Sequence, residues 1–126
     1  MARVLLVDDE IHILTVLHML FKSRGDEVTT ARGGQEALAI LEKQTFDLMV
    51  SDIRMKPING LEVLRVARDR YPEMPVIMVT AYDTAEANRE ALALGAASYL
   101  KKPFDNEELL RIAEKAIRES KAGEVG

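Results

Sequence analysis

The 126-residue chain contains no cysteine and no tryptophan, and aromatic residues make up only 5% of it. Without cysteine it can form neither a disulfide framework nor a thiolate metal site, which fits a reducing compartment. It also lacks a long apolar run: the run at residues 4–7 is too short for the core of a signal peptide or for a transmembrane span. We therefore expect a cytoplasmic protein that does not enter a membrane.

The chain has no excess of basic residues either. Its formal net charge is −4 and its isoelectric point is about 5.2, which argues against direct binding of nucleic acid through phosphate contacts. Apolar residues (48%) and charged residues (30%) are in the usual balance for a globular protein, and the length suits one domain. We predict a domain over residues 3–120, followed by a polar tail or the start of a linker at residues 121–126.

Five short apolar runs alternate with segments of helical period. The runs lie at residues 4–7, 27–31, 47–51, 75–80 and 97–100, and in the first helical segment Leu14, Leu17 and Phe21 recur at helical spacing. Runs without polar alternation are typical of strands covered on both faces of a parallel sheet. The pattern predicts a (βα)5 doubly wound sheet in a three-layer sandwich, with Gly25 ending the first helix and a left-handed Gly95 ending the fourth.

Chemically active side chains stand where the predicted strands end. Each has an ordinary explanation alone: acids before a helix stabilise its N-terminus, and a threonine on a buried strand packs. Together they form an unusual set, because clustered carboxylates repel unless a cation lies among them. Hard oxygen ligands suit Mg²⁺, and a metal with a lysine beside a carboxylate nucleophile suits phosphoryl transfer to an acyl phosphate. The set comprises Asp8, Asp9, Glu10, Asp52, Thr80 and Lys102.

Four motifs carry a family resemblance: VLLVDDE, DLMVSDIRM with the following NGLE, PVIMVTAY, and GAASYLKKPF. In this combination and spacing, residues 3–118 resemble the receiver domain of two-component response regulators. The resemblance implies a flavodoxin-like sheet with strand order 2-1-3-4-5. It also implies a signalling switch that catalyses only its own phosphorylation and dephosphorylation, and so is not an enzyme with an external substrate.

The resemblance assigns roles to the strand-end residues. Asp52 would be the phosphoacceptor, taking its phosphoryl group from a sensor histidine kinase or a histidine phosphotransfer protein. Mg²⁺ would be bound by Asp8, Asp9, Asp52 and the backbone carbonyl of Arg54. Lys102, preceding a cis bond to Pro103, would pair with the phosphoryl oxygens.

The resemblance also implies a switch and a partner surface. Thr80 would bind the phosphoryl group, and Tyr99 would turn inward as Thr80 moves. Arg54 and Tyr82 would tune the lifetime of the acyl phosphate. The fourth helix, the fifth strand and the fifth helix, within residues 84–120, would form a partner face or a homodimer face.

The loop after Asp52 departs from the family pattern. Family members often carry proline four residues after the phosphoacceptor, where this chain has Lys56, and Pro57 follows one residue later. The eight-residue spacing from Asp52 to Gly60 is kept, so we expect a reshaped loop and an intact site. His12 and His18 have no partner at metal-ligand spacing, and we expect both on the surface or flank of the first helix.

Three other functions are open to this sequence. A flavin-binding carrier of the same fold would need phosphate donors after the first strand, where Asp8, Asp9 and Glu10 would repel a phosphate. A phosphatase with an aspartyl phosphoenzyme usually carries an Asp-x-Asp motif, which is absent. An unphosphorylated docking module would have no need for the full set of strand-end side chains. For the output, the sequence fits a stand-alone regulator or a receiver from a longer protein.

Overall fold

Five strands alternate with five helices in the computed structural model, which describes residues 2–81 and 84–125, with the backbone alone at residues 122–125. The predicted alternation is confirmed, with most element ends within one or two residues of the expected positions. In chain order the elements are β1 (Arg3–Val7), α1 (Ile11–Ser23), β2 (Glu27–Ala31), α2 (Gly34–Lys43), β3 (Leu48–Ser51), α3 (Gly60–Arg70), β4 (Val76–Thr80), α4 (Ala85–Ala93), β5 (Ser98–Lys101) and α5 (Asn106–Val125).

The strands form one parallel sheet in the order β2-β1-β3-β4-β5, which confirms the order implied by the resemblance. Val7 at the end of β1 pairs with both Ala31 in β2 and Ser51 in β3. At the other side of the sheet, Thr80 in β4 pairs with Lys101 in β5. This register brings the carboxyl ends of all five strands to one edge, where ligands bind in open parallel sheets.

Helices cover both faces of the sheet, as predicted for a three-layer sandwich. One apolar cluster lies between the sheet and α2, α3 and α4, and includes Met49, Leu64 and Met78. The other lies against α1 and α5, and includes Phe21 and Leu109. β1, β3 and β4 are buried almost throughout, which is why their sequences show no alternation of polar and apolar residues.

The helix ends confirm one part of the sequence analysis and correct another. Gly25 and Gly95 have φ of 90° and 102°, the left-handed conformation expected at these helix ends. α5 continues to Val125, whereas the sequence analysis placed the fifth helix within residues 84–120. The added segment, KAGEV, contains no proline, and its lysine, alanine and glutamate favour helix, whereas its glycine and valine do not. The division between a domain and a tail at residue 121 stays a prediction.

None of the helices in the described part of the chain combines the length and the apolar character needed to cross a membrane.

Burial of α1 generates a stability prediction. Phe21 is fully buried, whereas Met19, two residues earlier on the same helix, is 67% exposed. We expect Phe21→Ala to lower the free energy of unfolding by about 3–5 kcal/mol, because it removes a large buried side chain and leaves a cavity. The matched variant Met19→Ala should change it by less than about 0.5 kcal/mol. Urea denaturation of both variants checks this, and equal losses would contradict the packing described.

Candidate metal and phosphoacceptor site

The ends of β1 and β3 place two aspartates side by side. The Asp8 amide donates a hydrogen bond to the Ala31 carbonyl (3.1 Å), and the Asp52 amide donates one to the Val7 carbonyl (3.0 Å). These bonds continue the strand ladders and fix both residues at the sheet edge. Asp8 and Asp52 are buried, and the neighbouring Asp9 is exposed. One carboxylate oxygen from each of the three residues lies within 4.8 Å of the others, so the predicted cluster is present as a candidate cation site.

Lys102 reaches this cluster from the end of β5, the strand at the outer edge of the sheet. Its amide donates to the Thr80 carbonyl (2.8 Å), which holds the end of β5 against β4. Its Nζ lies 2.6 Å from Asp8 Oδ2 and 3.5 Å from Asp52 Oδ2. One ammonium therefore contacts both buried carboxylates.

The Lys102–Pro103 bond is cis, as expected, and the Lys56–Pro57 bond is also cis, which the sequence analysis did not anticipate.

The charges of this group shift each other's proton affinity. Burial raises the pKa of Asp8, and the hydrogen bond from Lys102 offsets only part of that effect. Burial alone would lower the pKa of Lys102, but the hydrogen bond to Asp8 and the charge of Asp52 outweigh it and leave that pKa raised. The lysine therefore stays protonated, while Asp8 takes up a proton more readily than an exposed aspartate does.

A cleft of about 350 Å³ opens onto these groups. Its lining includes six of the residues that the sequence analysis selected at strand ends or in the loop after β3. Ala81, which the sequence analysis did not select, also lines it, and only its position next to Thr80 could have indicated it. The lining residues are Asp9, Glu10, Asp52, Arg54, Thr80, Ala81 and Lys102. The cleft is open to solvent at the exposed Asp9 and Arg54.

The two residues of the expected switch lie on neighbouring strands. Thr80 is buried at the end of β4, and Tyr99 in β5 pairs with Met78, two residues before Thr80. Thr80 and Tyr99 therefore face the same side of the sheet, where half-buried Tyr99 packs against the cluster under α2, α3 and α4. Tyr99 does not line the cleft. Tyr82 lies outside the described residues.

The loop between Asp52 and α3 is closed by a glycine. The Asp52 side chain accepts a hydrogen bond from the Ile53 amide (2.8 Å), and the Gly60 amide donates to the Ile53 carbonyl (2.7 Å). A Cβ atom at Gly60 would lie 2.0 Å from the Asp52 carbonyl oxygen, so no larger residue fits there without moving the strand end. The sequence analysis noted the spacing to Gly60 but not this contact.

The two histidines of α1 lie where the sequence predicted. His12 is exposed and His18 is half-buried, so both stand on the surface or flank of the helix.

Comparisons with known proteins agree with this geometry. The profile of the response regulator receiver domain family matches residues 4–114. Transcriptional regulatory protein ZraR of Escherichia coli (strain K12) is 39% identical over 114 residues, which are 90% of this chain and 26% of that protein. DNA-binding transcriptional regulator NtrC of Salmonella typhimurium is 40% identical over 111 residues, 88% of this chain and 24% of that protein. The chain spans about a quarter of the length of these curated relatives.

Solved structures show the same likeness over more than nine-tenths of both chains. The CheY-like response regulator receiver domain protein from Methanospirillum hungatei JF-1 has a TM-score of 0.93 and 33% sequence identity, and the match covers 96% of this chain and 97% of that one. Chemotaxis response regulator CheY4 of Vibrio cholerae has a TM-score of 0.86 and 37% identity, over 92% of this chain and 98% of that one.

The raised pKa of Asp8 generates a prediction on cation binding. Only a deprotonated carboxylate can bind a cation, so protons would compete with Mg²⁺ for this candidate site. Because the Asp8 pKa lies above its ordinary value of 3.8, we expect Mg²⁺ affinity to fall as pH decreases, beginning at a higher pH than an exposed aspartate would cause. Calorimetric titrations between neutral and mildly acidic pH measure this. The Asp69→Asn variant, altered at an exposed residue of α3, should keep the same profile.

Proposed function

This chain belongs to the response regulator receiver family, and on that premise we propose that it is a phosphorylation-activated signalling switch whose phosphoacceptor is Asp52. The observation that carries the proposal is the contact of the Lys102 ammonium with Asp8 and Asp52 beside the open cleft. A flavin-binding carrier is less well supported, because three carboxylates at this cleft, those of Asp9, Glu10 and Asp52, would repel a phosphate ester. An unphosphorylated docking module would not need this arrangement of charges.

The residues of the cluster fit a magnesium ion. Asp8, Asp9 and Asp52 supply hard oxygen ligands whose atoms already lie close together, and the exposure of Asp9 leaves room for water. We assign the ion to these three carboxylates and the backbone carbonyl of Arg54. When bound, Mg²⁺ would offset negative charge on the phosphoryl group during transfer.

The protein groups account for the rest of the transfer. An Asp52 carboxylate oxygen attacks phosphorus, an O–P bond forms, and the P–N bond of the donor phosphohistidine breaks. The leaving imidazole nitrogen keeps the electron pair of that bond and takes a proton from solvent. The hydrogen bond from the Ile53 amide holds the Asp52 carboxylate in one orientation. Lys102 then pairs with phosphoryl oxygens, and the Thr80 hydroxyl donates a hydrogen bond to them.

The phosphorylated state would act on partners through Thr80 and Tyr99. Movement of Thr80 toward the phosphoryl group leaves space that Tyr99 fills, and this changes the face formed by α4, β5 and α5. The α4 helix carries the exposed residues Arg89, Glu90 and Leu92. We assign that face to a partner protein or a second copy of the chain. The kinase or phosphotransfer partner would transfer the phosphoryl group to Asp52 in the cytoplasm.

Two relatives are described as transcriptional regulators, one of them DNA-binding, and both are much longer than this chain. We propose that this acidic domain controls a transcriptional output without binding DNA itself.

Phosphorylation of Asp52 is directly testable. Incubation with Mg²⁺ and acetyl phosphate should add one phosphoryl group to the wild-type protein, detected by intact mass. Asp52→Asn should abolish this addition, because an amide is not a competent nucleophile. Asp69→Asn, which alters an exposed aspartate of α3, should behave as wild type. Modification that persists in Asp52→Asn, or that does not need Mg²⁺, would contradict the proposed function.

Arg54 and Tyr82 would set the lifetime of the acyl phosphate by shielding it from water. The position of Arg54 in the lining of the cleft supports a shielding role for its side chain. We expect Arg54→Ala to shorten the half-life of phosphorylated protein severalfold, because a smaller side chain admits water to the phosphorus. The decay of the phosphorylated mass after removal of the donor measures this. An unchanged or longer half-life would rule out shielding by Arg54.

A further inference from the structure

The loop between Asp52 and Gly60 rests on the first residue of α2. Gly34 is buried, and a Cβ atom built there would lie 2.8 Å from the Ile58 carbonyl oxygen, 2.9 Å from its Cβ and 3.0 Å from its Cγ2. These distances are shorter than van der Waals contact between such atoms. The backbone of α2 therefore touches the outer bend of the loop only because position 34 has no side chain.

Both ends of this loop are held by hydrogen bonds, but its middle is not. Near its start the Met55 amide donates to the Ile53 carbonyl (3.1 Å), and at its end the Gly60 amide donates to the same carbonyl (2.7 Å). Within the described ranges, the backbone groups of residues 56–58 make no hydrogen bond to other backbone groups. The bend is thus supported by packing, through half-buried Ile58 against Gly34 and the adjacent apolar cluster.

This support matters because the loop carries groups of the proposed site. It begins at Asp52 and contains Arg54, whose side chain lines the cleft. We propose that Gly34 is a positioning residue for the phosphoacceptor site. Its lack of a side chain lets the loop pack against α2 at Ile58, and this packing holds the Arg54 carbonyl and Asp52 in the geometry that binds the cation. This inference rests on the proposed function, and it assigns to α2 a role that no contact with the cleft would indicate.

The neighbouring glycine provides a matched control. A Cβ atom at Gly33 would meet nothing within 4 Å, and Gly33 has φ of −177°, an extended conformation open to any residue. Gly33→Ala and Gly34→Ala therefore add the same atoms to adjacent positions, with and without a collision. We expect Gly34→Ala to weaken Mg²⁺ binding and to slow phosphorylation by acetyl phosphate, each by about tenfold, the usual effect of disturbing groups that orient metal ligands. Gly33→Ala should match the wild type.

A second pair of variants tests the same contact from the loop side without adding atoms. Ile58 and Ile40 are both half-buried isoleucines packed against the same cluster. Ile58→Ala should weaken Mg²⁺ binding severalfold, whereas Ile40→Ala should lower thermal stability and leave Mg²⁺ affinity unchanged. If Gly34→Ala does not fold, this pair decides the question. In a folded Gly34→Ala protein, the added change Ile58→Gly should restore part of the lost affinity, because it removes two of the three colliding atoms.

Calorimetric Mg²⁺ titration and the acetyl phosphate rate, both on protein shown to be folded, distinguish the outcomes. Gly34→Ala with the affinity and rate of Gly33→Ala would overturn the role of Gly34 and leave the proposed function standing. Equal Mg²⁺ affinities for Ile58→Ala and Ile40→Ala would overturn it from the loop side. A wild-type protein that takes up no phosphoryl group on Asp52 would overturn the proposed function and this inference with it.

Discussion

The site depends on a single ammonium that holds two buried carboxylates together. Asp8 and Asp52 lie at adjacent strand ends with little access to water, where two negative charges would repel each other and each would lose its hydration. Lys102 contacts both, at 2.6 and 3.5 Å, and its own side chain is only 12% exposed. Its cost of burial is offset by the same two acids that it stabilises. Removing Lys102 would leave two carboxylates without a counter-charge in a place with poor solvation.

The parallel sheet brings Asp8, Asp52 and Lys102 together at one edge. Residues 8, 52 and 102 are far apart in the chain, but all follow strands that run in the same direction and end at the same edge. The register of β4 and β5, continued by the bond from the Lys102 amide to Thr80, sets how far the lysine projects. Apolar clusters on both faces hold the strands in that register, so packing remote from the site determines its charge geometry.

The sequence predicted the elements well because each depends on local information. Apolar runs of strand length, helical periodicity and the strand-end acids can all be read within a few residues. The strand order came from resemblance, since an apolar run does not specify which run it will pair with. The close approaches at Gly34 and Gly60 could not be predicted, because they depend on distances between segments that only the folded chain brings together. The end of α5 was misplaced because a polar segment without proline is compatible with either a helix or a tail.

In the proposed function, the same arrangement that stabilises the resting site would also make it responsive to phosphorylation. Three carboxylates and one ammonium leave a formal charge of minus two, which a divalent cation would neutralise. A phosphoryl group then adds roughly −1.5 to −2 charges and new acceptor oxygens. Lys102, now 2.6 Å from Asp8, would then share its three N–H donors between the aspartates and that group, so its contacts would be redistributed. Because the Lys102 amide is bonded to the Thr80 carbonyl at the end of β5, we propose that a shift in one would be transmitted to the strand that carries Tyr99. In the proposed function, this competition for one lysine couples the chemistry at Asp52 to the surface of α4, β5 and α5.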